Sequence, residues 1–311
     1  MTGVPSLPEL SDALKQALQN VKLKNAALVA VMGATGSGKS TFINKVSGTD
    51  EMVTGSSLES CTDQIQFSSL FKLNGRDVCL IDTPGFDDTN KKDVDILQHI
   101  GGYIGAAYEN GVKLAGVLYL HRISDNRVSG VTKRNLRVFH KLCGPEAMKN
   151  VVVVTTRWDR ATEQEGASRI SELQTNRGFL GEAVSNGAVI VQHRENTTES
   201  ARKILSELLA KSDPVPLQIQ TELVDEHRDL VDTAAGAELN SELKAQIKQY
   251  QEEIRMLREE MRERQLRGDR DIADLREEIN EMNKAKKRAE TEREKMRVDL
   301  EEIKKRADTG K

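Results

Sequence analysis

The sequence predicts an α/β fold: a mainly parallel, doubly wound sheet with one antiparallel edge strand, followed by a long helical segment. Three observations carry this. Short apolar runs alternate with helix-length stretches up to about residue 212, the pattern of strands joined by helical crossovers. Two adjacent runs flank Asn74-Gly75, a two-residue hairpin signal that makes those strands antiparallel. Beyond about Leu239 the apolar residues recur at alternating steps of four and three, which is a heptad seam.

In chain order, "AALVAVMG" (26–33) reads as a buried strand. "QIQFSSLFKL" (64–73) and "RDVCLIDT" (76–83) form the hairpin. "VKLAGVLYL" (112–120), "NVVVVTT" (150–156) and "GAVIVQ" (187–192) read as further buried strands. Helices are predicted over 39–48, 92–109, 130–142, 165–177 and 197–211. "SDPVP" (212–216) stops the last of them, because two prolines so close cannot continue a helix. The predicted units are a segment 1–24, an α/β domain 25–212, a helical linker 213–238 and a coiled coil 239–307.

The seam consists of Leu243, Ile247, Tyr250, Ile254, Leu257 and Met261, then Ile272, Leu275, Ile279, Met282, Ala289, Met296, Leu300 and Ile303. The two runs differ in phase by four residues around Gly268, which reads as a stutter. One helix of ~70 residues would extend on the order of 100 Å. A coiled coil between chains is the favoured reading. The alternative is a single solvated helix held by i,i+4 charge pairs, and Lys286 and Arg293 fall on seam positions and weaken the second run.

Composition sets outer limits. The chain has 311 residues, 37% hydrophobic and 31% charged, which fits a globular part plus a solvated one. A net charge of −3 gives no reason to expect nucleic acid or an anionic membrane as partner. Three scattered cysteines without a C-x-x-C pair read as free thiols in a reducing compartment. No signal peptide, lipidation box or apolar run of ~20 residues is evident. The expectation is a soluble, cytoplasmic protein with no indicated membrane association.

"GATGSGKST" (33–41) follows the first strand and opens the first helix. It fits G-x-x-x-x-G-K-[S/T] in the setting that phosphate-binding motif requires. Gly33, Gly36 and Gly38 let the backbone wrap closely, with Thr35, Ser37 and Thr41 completing the cradle. Lys39 reaches the outer phosphates, and the Ser40 hydroxyl is a Mg²⁺ ligand. "LIDTPG" (80–85) then places Asp82 at a strand end, where a carboxylate holds the Mg²⁺ shell. Gly85 offers a backbone N–H to the terminal phosphate, and its free φ lets the loop reorganise. Between them, "TGSSLESCTDQ" (54–64) is polar and turn-rich. Thr62 is the expected second Mg²⁺ and γ-phosphate ligand there, with Thr54 the alternative.

"VVVVTTRWD" (151–159) sets Asp159 just beyond a buried strand. A carboxylate accepts two hydrogen bonds from the N1–H and amine of guanine, a donor pair adenine lacks. Thr156 and Arg157 complete the motif, Arg157 laying its planar head over the base. An Asp that merely caps the next helix is the competing reading. His193 in "VQHRENT" is either a base-packing residue or a surface histidine.

Taken together, "GATGSGKST", "CT" at 61–62, "DTPGFDD" and "TRWD" resemble the septin-related branch of P-loop GTPases. That branch includes the immunity-associated and plastid import receptor types, and the immunity-associated type is the nearer match. The resemblance covers about residues 25–210. It implies a G-domain fold, GTP and GDP as ligands with Mg²⁺, and pairing of G domains face to face across the nucleotides. It also implies an arginine after the fourth strand that reaches the partner's site. Arg127 in "HRISDNRVSG" is the best aligned, with Arg122 the alternative.

Phe86 follows Gly85, where many switch GTPases keep a glutamine that orients the attacking water. A phenyl ring cannot hold water by hydrogen bonds, so the missing group comes from elsewhere or turnover is slow. The expected function is GTP hydrolysis, slow alone and enhanced by homo-oligomerisation through the G domain and coiled coil. A GTP-dependent oligomerising scaffold with negligible hydrolysis is the alternative. A coiled-coil ATPase for DNA work is disfavoured, because "IDTPG" stands where an Asp-Glu strand end would be needed.

Overall fold

The computed structural model describes residues 26–52, 65–86, 93–125, 130–211, 214–266 and 273–309. Its centre is a seven-stranded sheet. The strands are β1 (Ala27–Gly33), β2 (Gln66–Phe67), β3 (Phe71–Leu73), β4 (Arg76–Asp82), β5 (Leu114–Arg122), β6 (Val151–Thr156) and β7 (Val189–Gln192). The order is β2-β4-β1-β5-β6-β7, with β3 also on β4. All pairs are parallel except β2 and β3 on β4. Asn74 and Gly75 both take positive φ, 50° and 81°. That is the geometry a two-residue hairpin needs to match strand twist.

The stretch 64–73, expected as one strand, is two short ones. At Ser68 the hydroxyl accepts the Leu80 N–H at 2.9 Å, while the Ser68 N–H still reaches the Leu80 carbonyl. A side chain has replaced one rung of the ladder. The last strand also differs from the expected buried one. It is the sheet's edge, and Val189 is exposed, because only β6 covers it.

Helices α1 (Lys39–Ser47), α2 (Asp93–Glu109), α3 (Gly130–Cys143), α4 (Glu163–Thr175), α5 (Gly181–Ser185) and α6 (Thr198–Leu209) cover the sheet. Alternation along β1 sorts them. Ala27, Val29 and Val31 pack with Phe42, Ile43 and Val46 of α1 and Ala201, Ile204 and Leu208 of α6. Leu28, Ala30 and Met32 face the opposite layer, which includes Ile96 and Ile100 of α2 and Phe139 of α3.

The C-terminal part departs most from expectation. Instead of one extended helix, it forms α7 (Ala234–Leu266), α8 (Ala273–Lys295) and α9 (Leu300–Thr309). α7 and α8 are antiparallel. Only residues 267–272 separate them, yet Arg293 near the end of α8 donates to Asn240 near the start of α7 at 3.0 Å. The seam residues Leu243, Ile247, Ile254, Leu275, Ile279 and Ala289 are buried within this hairpin and its contact with the sheet domain. The seam therefore pairs with its own chain, because an antiparallel hairpin satisfies the same heptad spacing as a second chain would. The stutter at Gly268 lies outside the described residues.

The chain then returns to the sheet domain. The N–H groups of Leu230 and Val231 donate to Val298 and Met296 at 2.8 and 3.0 Å. Arg137 on α3 binds Glu238 and Glu242 on α7, each at 2.5 Å. Leu300 sits on the glycine face of α2, where a Cβ on Gly105 would come within 2.9 Å of its Cδ1. The buried Lys304 ammonium pairs with Glu109 at the end of α2 and with Glu301. Burial alone would lower its pKa, but these hydrogen bonds outweigh that and raise it. Residues 214–232 fill the space beneath, with Leu217, Ile219, Leu223 and Leu230 buried in the same core.

Candidate functional site: a phosphate cradle joined to a base cavity

The cradle forms because β1 ends where the backbone must turn sharply. Gly33, Gly36 and Gly38 all have positive φ, which glycine alone adopts without strain. Gly33 is also a close-approach position: a Cβ there would lie 2.3 Å from the Leu120 carbonyl of β5. The loop then delivers Lys39, Ser40 and Thr41 as the first turn of α1. Lys39 Nζ donates to the Gly33 and Ala34 carbonyls at 3.1 Å each, so the ammonium lies against the inner curve of the loop. Thr35 contributes its carbonyl to Arg122 at 3.3 Å. The Ser37 carbonyl accepts from Thr156 Oγ1 at 2.8 Å, tying the cradle to the end of β6.

The parallel pairing of β1 with β4 brings Asp82 beside the cradle. Ser40 Oγ donates to Asp82 Oδ2 at 2.6 Å, across 42 residues of sequence. One hydroxyl and one carboxylate oxygen in contact form a hard-oxygen pair suited to Mg²⁺. No group of three or more His, Cys, Asp or Glu gathers among the described residues, so the pair by itself does not complete a metal shell. Thr83, fully buried, donates to the Val31 carbonyl at 2.9 Å and locks the strand end. Gly85 lies under the cradle, where a Cβ would be 2.5 Å from the Thr35 nitrogen. Thr62, its alternative Thr54, and Arg127 fall outside the described residues.

Phe86 is 3% exposed and packs in the core, its carbonyl accepting from Asn135 Nδ2 at 3.1 Å. Arg122, at the end of β5, pairs with Asp125 at 3.1 Å as well as with the Thr35 carbonyl, so it serves its own cradle. Its neighbour His121 is buried, and its pKa is pushed down to about 4 by burial, with Asp125 opposing and Arg122 adding. A buried base with a depressed pKa favours folding while the ring is neutral. That stability is complete above about pH 6.5 and is lost as pH falls toward 4. His121→Gln is expected to flatten the acid limb of stability across this window by about 3 kcal/mol, measured by urea unfolding from pH 7 to 4.

Beside the cradle opens a cavity of about 380 Å³, within the range of small-molecule sites. Its walls join Ser37, Gly38 and Thr41 to Thr156, Arg157, Asp159 and His193. Arg157 takes a left-handed backbone, φ 58°, and is exposed. The Asp159 carboxylate lines the cavity, is 72% exposed and lies 3.9 Å from Arg160. Trp158 also lines the cavity, mostly buried and held by its indole N–H on the Thr155 carbonyl at 3.0 Å. His193 is no surface residue. It is 4% exposed, meets the Phe42 ring edge-on at 5.4 Å, and bonds Ser200 Oγ through Nδ1 at 2.9 Å.

Sequence reasoning missed several lining residues. Arg194 stacks on Trp158 at 4.3 Å and binds Glu163 through both terminal nitrogens, bridging the rim from β7 to α4. Phe42 and Asn196 also line the cavity. An arginine and an asparagine in an unmatched loop carry no motif; only the solitary tryptophan in the base motif hinted at a stacking partner.

A glycine cradle between strand and helix, a hydroxyl–carboxylate pair at its floor and a base-sized cavity beside it define a P-loop GTPase. The chain belongs to the AIG1 family, whose sequence model matches residues 27–215. GTPase Der of Rhodopseudomonas palustris is 28% identical over 153 residues, 49% of this chain and 30% of Der. The chain thus spans less than a third of that relative's length. Among solved structures, Toc33 from Arabidopsis thaliana in complex with GDP and Mg²⁺ is similar, with a TM-score of 0.50 and 19% identity. The match covers 65% of this chain and 93% of that one. A dimerization-deficient mutant of Toc33 also gives 0.50, at 18% identity and the same coverage. At such identity the likeness concerns the fold.

Proposed function

We propose that the protein hydrolyses GTP slowly as a single copy and faster when two G domains pair across their nucleotides. The observation that carries this is Phe86: the residue following the switch glycine gives its side chain to the core and has no polar group for the attacking water. In this reading Lys39 cradles the outer phosphates, Ser40, Asp82 and Thr62 hold Mg²⁺, and the Gly85 N–H senses the γ-phosphate. Thr156, Arg157, Asp159 and His193 hold guanine. Arg127 reaches the partner's site, because Arg122 is already engaged with Asp125 and Thr35 of its own chain. A trans arginine contributes about 10³–10⁵ in rate where one is used. Pairing through the G domain is the oligomerisation that fits, since the helical seam is covered by its own hairpin. No helix among the described residues is long and apolar enough to cross a membrane, and action in the cytoplasm belongs to the same proposal.

The same Phe86 favours a second reading, a GTP-dependent scaffold without useful turnover. Single-turnover hydrolysis measured against protein concentration separates the two. The first reading expects a rate that climbs with concentration and falls on Arg127→Ala; a flat, near-zero rate at every concentration leaves the scaffold.

A further inference from the structure

His193 is a nearly buried ring on the cavity lining, with one nitrogen satisfied and one not. Nδ1 is 2.9 Å from the Ser200 hydroxyl in the first turn of α6. Nε2 is buried and makes no hydrogen bond of normal geometry, although the Asn196 side chain that shares the cavity lining lies near enough to favour the charged ring. Burial lowers the pKa of the ring, with Asn196 opposing, so at neutral pH it carries a single proton. A neutral imidazole has one donor and one acceptor nitrogen, and the bond at one decides the role of the other. When the Ser200 hydroxyl donates to Nδ1, the N–H stands on Nε2, the buried and unsatisfied nitrogen of a ring that lines the cavity.

Another lining residue, Asp159, sets the complement of that donor. Asp159 presents only acceptors. A base that satisfies both must carry donors at N1 and the 2-amino group and an acceptor at position 6, which is guanine. Adenine carries an amine at position 6 and a bare N1, so it would set donor against donor and lone pair against carboxylate. The reverse tautomer of His193 would welcome the adenine amine while Asp159 rejected the same base, and the two walls would disagree.

We propose that His193 reads the guanine O6 through Nε2–H, and that Ser200 is the positioning residue that fixes its tautomer. This rests on the guanine-site reading above. The test compares equilibrium binding of GDP, 6-thio-GDP and ADP. The thio analogue keeps N1–H and the 2-amine but replaces O6 by a poorer acceptor. The wild type is expected to prefer GDP over 6-thio-GDP by about three- to tenfold, the scale of one neutral hydrogen bond. His193→Phe, which keeps a ring against Phe42, should bring that ratio close to one. Ser200→Ala should lower the ratio partway and Ser200→Thr restore it, with ¹⁵N–¹H correlation spectra reporting which ring nitrogen of His193 carries the proton in each variant. Should the Phe variant not fold, the serine pair answers the same question with the ring in place. An unchanged ratio in His193→Phe, or a wild-type ring protonated on Nδ1, overturns the proposal. Equal wild-type affinity for GDP and ADP would instead overturn the guanine-site reading beneath it.

Discussion

A chain ending at residue 212 is expected not to fold as a stable domain, although the sheet and all its cradle residues lie before that point. The buried face of α2 and α3 is covered by side chains from the C-terminal part. Leu217, Ile219, Leu223, Leu230, Leu239, Leu243, Ile247, Met296 and Ile303 share one core with Ile100, Ile104 and Phe139. At about 1.5–3 kcal/mol for each fully buried side chain, their loss is about 14–27 kcal/mol, an upper range because unfolded chains already bury part of this surface. Whole domains have net stabilities of only about 5–15 kcal/mol. Thermal unfolding followed by circular dichroism, with GDP present, tests this. A fragment 1–212 that melts cooperatively within a few degrees of the full chain would show that the helical part is an appendage and not a wall of the core.

Phe86→Gln comes next in size. Restoring the glutamine that many switch GTPases carry ought to help if that position faced the γ-phosphate. Here the ring is 3% exposed and packed with the core, and the substitution removes that packing and buries an amide. The expected cost is about 3–5 kcal/mol, with no gain in hydrolysis. Chemical denaturation and single-turnover kinetics on the same preparation give both answers. A faster variant of unchanged stability would mean that residue 86 reaches the nucleotide after all, and the reading of pairing-dependent turnover would lose its main support.

The cradle and the hairpin are legible in the sequence because local chemistry dictates them. Glycines at 33, 36 and 38 followed by Lys39 and Ser40 can do little else between a strand and a helix, and Asn74-Gly75 fixes its turn by the φ values those residues tolerate. The Ser40–Asp82 contact is foreseeable as chemistry, since motif order implies it, but its 2.6 Å exists only because β1 and β4 lie parallel and adjacent. The base cavity is legible on one wall. Asp159 sits in a motif, whereas Arg194 and Asn196 come from a loop with none, so only Trp158 itself hinted at the stack.

The helical part departs from its sequence reading for a physical reason. A heptad seam records that an apolar stripe must be covered, and a second chain or the same chain turned back covers it equally well. "RGDRDI" at 267–272 is a polar stretch with Gly-Asp, which is a turn signal as much as a shift of phase. What distinguishes the outcomes lies far away in sequence: Arg137 meeting Glu238 and Glu242, and Glu109 meeting Lys304. Sequence by itself determined most elements of the sheet domain, the cradle and the kind of nucleotide chemistry, because each motif is a short local pattern of residues. Only the tertiary structure decided where Phe86 points, what His193 bonds to, and that the C-terminal helices close the core, because those outcomes depend on which distant surfaces meet.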